Sequence, residues 1–296
     1  MKTIPYNKQY IDKIDILEVK KSLTSDVIAA GPMVDKFEKN LSKSVNCKYT
    51  VVCNSGTSAL HLAFLSIDLK KNDVVIMPIV NFIAAYNMCK NLGAKVFFAD
   101  VNKHTGQMEE KDVLNCINQN KLKKIKLILI MHLAGHVSQP EKFYKLKKKL
   151  NCYLIEDACH ALGSSYKIKE KQIKTGSCKH SDIAVFSFHA LKTITTGEGG
   201  AICTNSKKIF VKSKLYRSHG MIKKSFTKYD IMLNGFNFRL SDINASLGIS
   251  QLKKLKKLVN NRRKIAANYY SLMNNLVSSN YLSLPNINFL HLWHLL

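Results

Sequence analysis

Seven short apolar runs constrain the fold of this chain more than any other feature. They lie at 49–53, 74–77, 95–99, 126–131, 152–155, 183–188 and 200–203, and longer stretches of helical pattern separate them. Runs of this length, rich in Val, Ile and Phe, read as buried strands, and strands alternating with helices predict an α/β domain with a mainly parallel central sheet. A chain of 296 residues can bury one large domain and part of a second. From Leu240 onward the sequence reads as one long helix, with Ile243, Leu247, Leu252, Leu255 and Val259 as an apolar stripe and lysines opposite. The expected organisation is a large domain over 1–240, including an N-terminal arm, and a second unit over 241–296. That unit holds the linking helix and the start of a small, incomplete C-terminal α/β domain.

Open α/β sheets bind ligands at the ends of their strands, so chemistry is sought just after each apolar run. Ile183-Ala184-Val185-Phe186 leads through Ser187-Phe188-His189-Ala190-Leu191 to Lys192, followed by Thr193-Ile194-Thr195-Thr196-Gly197-Glu198-Gly199-Gly200. Burial lowers a lysine's pKa, and a neutral amine can attack an aldehyde to form a Schiff base. Taken alone, Lys192 reads first as a strand-end lysine snorkelling to solvent. Upstream, Leu154-Ile155-Glu156-Asp157-Ala158-Cys159-His160 places Asp157 at another strand end. A carboxylate there can hold a proton on a heterocyclic nitrogen, or simply cap a helix or turn. Together the lysine and the acid are the pair that pyridoxal phosphate requires. His160 is placed to reach the ring's phenolic oxygen, although a lone histidine also fits an ordinary core or surface position.

Tyr49-Thr50-Val51-Val52-Cys53 then runs through Asn54-Ser55-Gly56-Thr57-Ser58 into a helix beginning near Ala59. A helix N-terminus with Gly56 for close approach and hydroxyls at Thr57 and Ser58 favours an anion such as phosphate. The same pattern also starts plain capped helices. It matches neither the Walker phosphate loop nor the Gly-x-Gly-x-x-Gly fingerprint, which argues against a nucleoside triphosphatase or a dinucleotide-binding dehydrogenase.

These segments resemble, in order and wording, the sugar aminotransferases of the DegT/DnrJ/EryC1/StrS family, fold-type I pyridoxal-phosphate enzymes. The resemblance runs nearly end to end and includes Ala30-Gly31-Pro32, Ser55-Gly56-Thr57-Ser58-Ala59-Leu60, Glu156-Asp157-Ala158, Ser187-Phe188-His189-Ala190-Leu191-Lys192, Gly197-Glu198-Gly199-Gly200-Ala201, Arg217-Ser218-His219-Gly220-Met221 and Asn237-Phe238-Arg239-Leu240. It implies that Lys192 carries the cofactor aldehyde and shuttles a proton, that Asp157 pairs with the pyridinium nitrogen, and that His160 lies near the phenolic oxygen. Gly56, Thr57 and Ser187 would hold the phosphate, with Asn237 reaching it from a neighbouring subunit, so that the active unit is a homodimer. Phe82 matches the aromatic that stacks on the cofactor ring, although a core phenylalanine fits the sequence as well. Tyr6, Arg217 and His219 fall where the family's pattern suggests substrate contacts. Relatives that dehydrate sugars carry histidine in place of the lysine, so Lys192 points to transamination. The wording is similar to the branch of nucleotide-sugar 4-aminotransferases in pseudaminic acid synthesis. That implies transfer from L-glutamate to the C4 ketone of a UDP-linked 4-keto-6-deoxy sugar.

Family members continue beyond the segment ending at Leu296, which looks like the first strand of the small domain. An alternative expectation is therefore a shortened, inactive relative that serves as a cofactor-binding or assembly protein. A second alternative is an aminotransferase for another keto sugar.

The formal charge of +26, from 46 basic and 20 acidic residues, raises nucleic acid or an anionic membrane as partners. The lysines are scattered without interleaved aromatics or a reading motif, so solvated helix faces account for them and no specific nucleic-acid partner is expected. Residues 1–10 lack the apolar stretch of a signal peptide, and no run approaches a membrane span. Eight cysteines without Cys-x-x-Cys spacing read as reduced thiols and a cytoplasmic enzyme. His132 and His136 lack the further ligands of a metal site and read as loop residues near the site's mouth, so no metal is expected.

Overall fold

A computed structural model of the chain describes residues 8–225, 228–279, 281, 282, 284 and 290–293. Tyr6 and most of the strand expected at 293–296 lie outside them. The strands are β1 (Tyr49–Cys53), β2 (Val74–Pro78), β3 (Lys95–Ala99), β4 (Leu127–Met131), β5 (Tyr153–Asp157), β6 (Ser165–Ile168), β7 (Lys171–Lys174), β8 (Ile183–Ser187), β9 (Gly200–Thr204), β10 (Met221–Lys223) and β11 (Tyr229–Ile231). All seven expected runs join one sheet, ordered β1-β9-β8-β5-β4-β2-β3. Its pairs are parallel from β3 to β8, and β9 alone runs antiparallel, against both β8 and β1. β6 with β7 and β10 with β11 form separate hairpins.

The central strands are mostly apolar because both faces of the sheet are covered there. In β4, Leu127 and Leu129 enter the core under helices α3 (Gly56–Ser66) and α4 (Ile83–Asn91), whereas Ile128 and Ile130 enter the opposite one, under α5 (Glu110–Gln119) and α6 (Pro140–Leu150). In β8, Ala184 and Phe186 meet α2 (Pro32–Val45), and Ile183 and Val185 face the other way. Alternation across a doubly covered sheet gives three layers and brings the loops after β1, β5 and β8 to one edge.

The single helix expected after Leu240 is two, α8 (Asp242–Lys253) and α9 (Leu255–Ser278). The chain turns at Lys254 because its side chain is drawn between Asp12 and the fully buried Asp15, at the start of α1 (Lys13–Leu23). Ala245 and Ile249 of α8 sit in the core of the large sheet domain, so this part of the expected linking helix packs with the first 240 residues. Asp242 accepts from the backbone N–H groups of Gly31, Met33 and Val34 at 2.9, 3.1 and 3.0 Å. These are first-turn donors of α2, which helix geometry leaves without carbonyl partners. Ala30-Gly31-Pro32 is thus a docking motif, and a Cβ at Gly31 would lie 2.8 Å from the Asp242 carboxylate.

Candidate active site

The edge of the sheet opens into a cavity of about 320 Å³ lined by the α3 N-terminus, the end of β5, the end of β8 and the loop that follows it. Among the residues expected at the site, Gly56, Thr57, Phe82, Asp157, His160, Ser187 and Lys192 all line it. A larger groove, about 460 Å³, lies between the β6–β7 hairpin and α9 and is lined by Lys174, Lys253, Lys256 and Arg263. It contains none of the strand-end motifs.

Lys192 is held by a turn in which the Thr195 and Thr196 hydroxyls both donate to backbone carbonyls. Lys192 N–H donates to His189 O at 2.9 Å, Thr196 N–H to Phe188 O at 2.9 Å, and Thr195 Oγ1 to Phe188 O at 3.1 Å. Asn244 of α8 donates to Thr196 O, tying the loop to the core. Gly197 turns the chain at φ +81°, where an L side chain is strained. Burial lowers the Lys192 pKa, while Cys159 and the Asp157 carboxylate pull it back up. The amine is therefore easier to deprotonate than a surface lysine.

Asp157 is 2% exposed. Its Oδ1 accepts from Cys159 N–H at 3.1 Å, and among the described residues it forms no ion pair. Burial raises its pKa, against hydrogen bonds from Cys159 and the charges of Lys192 and His132. Burial, reinforced by the charge of Lys192, draws the His160 pKa down to about 3, so its imidazole is neutral at physiological pH.

Ser55 caps α3 by accepting from Ser58 N–H at 3.0 Å. The N–H groups of Gly56 and Thr57 precede any intrahelical carbonyl and belong to the residues lining the cavity. A Cβ on Gly56 would come within 2.9 Å of Ser187 Cβ and 3.3 Å of its Oγ. The glycine thus keeps open a cleft between the helix N-terminus and a hydroxyl.

These observations fit pyridoxal phosphate. A buried carboxylate that burial holds toward protonation matches a pyridinium N–H, a desolvated amine matches an aldehyde, and the glycine-lined helix N-terminus matches a phosphate.

Several expectations change with the structure. Phe82 is 66% exposed at the cavity rim, which excludes the core alternative. Arg217, expected at the substrate, is buried away from the cavity. Its Nη1 donates to Glu38 Oε1 at 2.6 Å and Val52 O at 2.9 Å, a structural role set by a partner far away in sequence. His219 is exposed with φ +59°, anchors its N–H on Phe236 O, and does not line the cavity. Asn237 is exposed, bridges to Ser218, and is likewise absent from the lining of its own chain's cavity. His132 lies in the loop after β4 but not at the mouth: it is 1% exposed, with Nε2 3.4 Å from Glu156 Oε2 on the neighbouring strand β5. His136 is half-buried and packs on His291, with ring centroids 4.1 Å apart. Sequence reasoning gave no role to Cys159, His189 or Glu198, which also line the cavity. His189 Nδ1 accepts from Leu191 N–H at 3.3 Å, which leaves the proton on Nε2, 3.7 Å from Glu198 Oε1. The signal for both was their place beside Lys192 in the same motif.

Fold and cavity suit an enzyme that uses an aldehyde cofactor. The chain matches the sequence profile of the DegT/DnrJ/EryC1/StrS aminotransferase family over residues 9–296 and belongs to that family. It is 40% identical over 266 residues to the UDP-4-amino-4,6-dideoxy-N-acetyl-beta-L-altrosamine transaminase of Campylobacter jejuni, covering 90% of this chain and 68% of that protein. Among solved structures, Helicobacter pylori PseC, an aminotransferase involved in the biosynthesis of pseudoaminic acid, superposes with a TM-score of 0.84 at 35% identity, over 92% of this chain and 71% of that one. NtdA from Bacillus subtilis, solved with bound cofactor PMP, superposes at 0.84 with 26% identity, over 99% and 67%.

Proposed function

We propose that this chain binds pyridoxal phosphate and transfers an amino group from L-glutamate to the C4 ketone of a UDP-linked 4-keto-6-deoxy sugar, yielding a 4-amino-4,6-dideoxy-N-acetyl-altrosamine-type product. The observation that carries the reading is the meeting of Lys192, Asp157 and the α3 N-terminus in one cavity. The similarity to the Campylobacter transaminase supports the choice of sugar.

Bound pyridoxal phosphate supplies an electrophilic aldehyde and an electron sink. Asp157 would hold the ring's nitrogen proton, and the neutral imidazole of His160 would serve the phenolic oxygen. The Gly56 and Thr57 amides with the Ser187 hydroxyl would take the phosphate, and Phe82 would pack against the ring. Lys192 holds the cofactor at rest, takes the proton from the donor's α-carbon as general base, and returns one in the second half-reaction. Its desolvated amine is suited to both duties. Asn237 completes the phosphate site from a second copy of the chain. Supporting a homodimer, exposed apolar residues flank Phe82, with Ile79 at 53% and Ile83 at 57%, and Ile231 stands 73% exposed on the β10–β11 hairpin.

The test is spectroscopic. Purified chain mixed with pyridoxal phosphate gains a visible absorbance band that L-glutamate bleaches with release of 2-oxoglutarate, and Lys192→Ala lacks the band. A UDP-linked 4-keto-6-deoxy sugar then restores it, whereas the GDP-linked analogue does not. A glutamate response without restoration by any UDP sugar refutes the sugar assignment alone.

A further inference from the structure

Gly197-Glu198-Gly199-Gly200 closes the loop that carries Lys192, and three of its four positions resist a side chain. Gly197 sits at φ +81°; a Cβ at Gly199 would overlap Thr196 Oγ1, and one at Gly200 would overlap the Ser55 carbonyl oxygen. Glu198 alone carries a side chain there. It is a carboxylate in a chain with only 20 acidic residues against 46 basic ones. Its backbone is fixed, with the carbonyl accepting from Thr196 Oγ1 at 2.7 Å. Its side chain is 67% exposed and lines the cavity together with Lys192. Packing does not account for a rigid backbone that presents one exposed carboxylate to a cavity.

Most other polar groups of the cavity already have duties. Ser55 caps α3, and on the reading above Gly56, Thr57, Asp157, His160, Ser187 and Lys192 serve the cofactor. His189 and Glu198 are left over as a pair. His189 is held at two points: its N–H donates to Ser187 Oγ at 3.3 Å, and its Nδ1 accepts from Leu191 N–H at 3.3 Å. The ring proton therefore stays on Nε2, 3.7 Å from Glu198 Oε1.

The two substrates offer this pair different chemistry. Glutamate brings two carboxylates, which a third carboxylate repels at close range. A 4-keto-6-deoxy sugar carries, on one side of its ketone, a carbon bearing a methyl group, and on the other a carbon bearing a hydroxyl. The C3 hydroxyl is thus the hydrogen-bond donor nearest the reacting carbon.

We propose that Glu198, steadied by His189, selects the amino acceptor: its carboxylate accepts a hydrogen bond from the sugar hydroxyl next to the ketone. The inference rests on the transaminase reading and adds a specificity residue to it. A site built to pair with a hydroxyl rejects the analogue that lacks one more strongly than an apolar pocket would.

The test follows the two half-reactions separately by their spectra. The full chain loaded with pyridoxal phosphate is titrated with L-glutamate while the visible band bleaches, and the bleached protein is titrated with the UDP-linked 4-keto-6-deoxy sugar while the band returns. In Glu198→Ala the half-saturating sugar concentration should rise about 10–100-fold, the worth of a hydrogen bond to a charged group, and that for glutamate should not rise. Glu198→Gln keeps an acceptor oxygen and should recover part of the loss. The 3-deoxy analogue of the sugar should not distinguish wild type from Glu198→Ala. Melting temperature should move by less than about 2 °C, because the side chain is exposed. A parallel rise for glutamate and sugar, which would make Glu198 a contact for the donor's ammonium group or a general support of the cavity, overturns the proposal. So does a 3-deoxy analogue that still separates wild type from variant. A wild-type chain without a glutamate-bleached band overturns the transaminase reading, and this inference with it.

Discussion

Two buried carboxylates, Glu38 and Asp157, occupy similar environments and are treated differently by the rest of the chain. Glu38 is 7% exposed and Asp157 2%, and burial raises both pKa values. Glu38 meets Arg217 at 2.6 Å and Val52 N–H at 3.0 Å, so its charge is answered by helix α7 (Lys207–Arg217) and strand β1 within the chain. Asp157 has one backbone donor and no ion pair among the described residues. A charge whose partner the chain supplies is architecture. A charge left without one implies that the partner arrives from outside.

Breaking the satisfied pair should give the largest effect. Glu38→Ala leaves the Arg217 guanidinium buried and unpaired, which costs about 3–5 kcal/mol and lowers the melting temperature by about 10 °C. Differential scanning calorimetry of the cofactor-free chain measures it. Asp157→Asn should move the same measurement the other way, because it removes a buried charge that lacks a counter-ion. The sign follows from linkage. The folded carboxyl binds its proton above the ordinary 3.8, so between that value and the raised one the native state holds more protons than the unfolded chain, and wild-type stability falls as pH rises. The stability gain of Asp157→Asn is therefore present at neutral pH and vanishes as pH drops below the ordinary value. Turnover in the same variant should fall about 10²–10³-fold. Equal destabilisation by both substitutions would erase the distinction between the two carboxylates.

The same contrast explains what was legible in the sequence. The seven strands were readable because six are buried on both faces and rich in apolar residues, and the edge strand β3, though partly exposed, keeps the run Val-Phe-Phe-Ala. The β6–β7 and β10–β11 hairpins were not, because β7, Lys171–Lys174, is mostly exposed and lysine-rich, and β11 is exposed at both ends. Lys192, Asp157 and Gly56 could be found because strand-end position and residue type together carry the signal. Arg217 could not be placed, because its role depends on Glu38, which only the folded packing of α2 against β1 brings near. The break at Lys254 was hidden for the same reason: helical periodicity continues through it, and only the remote Asp12 and Asp15 turn the chain.

A subtler test concerns the phosphate cleft. Gly56→Ala places a methyl group 2.9 Å from Ser187 Cβ, closer than carbon atoms pack, so the α3 N-terminus and Ser187 must move apart and distort the phosphate cleft. Cofactor affinity should fall about tenfold, or about 1.4 kcal/mol, as read by equilibrium dialysis. Unfolding of the cofactor-free chain should shift far less. An equal loss in both measurements would make Gly56 a packing residue like Gly31.

The smallest expected effect separates a rim aromatic from a core one. Phe188 is fully buried, packed on Phe37 with ring centroids 5.3 Å apart, whereas Phe82 exposes 66% of its surface. Removing Phe188 would open a cavity; removing Phe82 opens none, since one side of its ring already faces solvent. Phe82→Leu should therefore leave cofactor-free stability within about 0.5 kcal/mol while weakening cofactor binding by about 0.5–1.5 kcal/mol, the worth of one ring stacking on another. Titration of the visible absorbance band measures the second quantity and urea unfolding the first. Unchanged cofactor affinity would remove Phe82 from the site and leave its exposure to be explained by the second subunit alone.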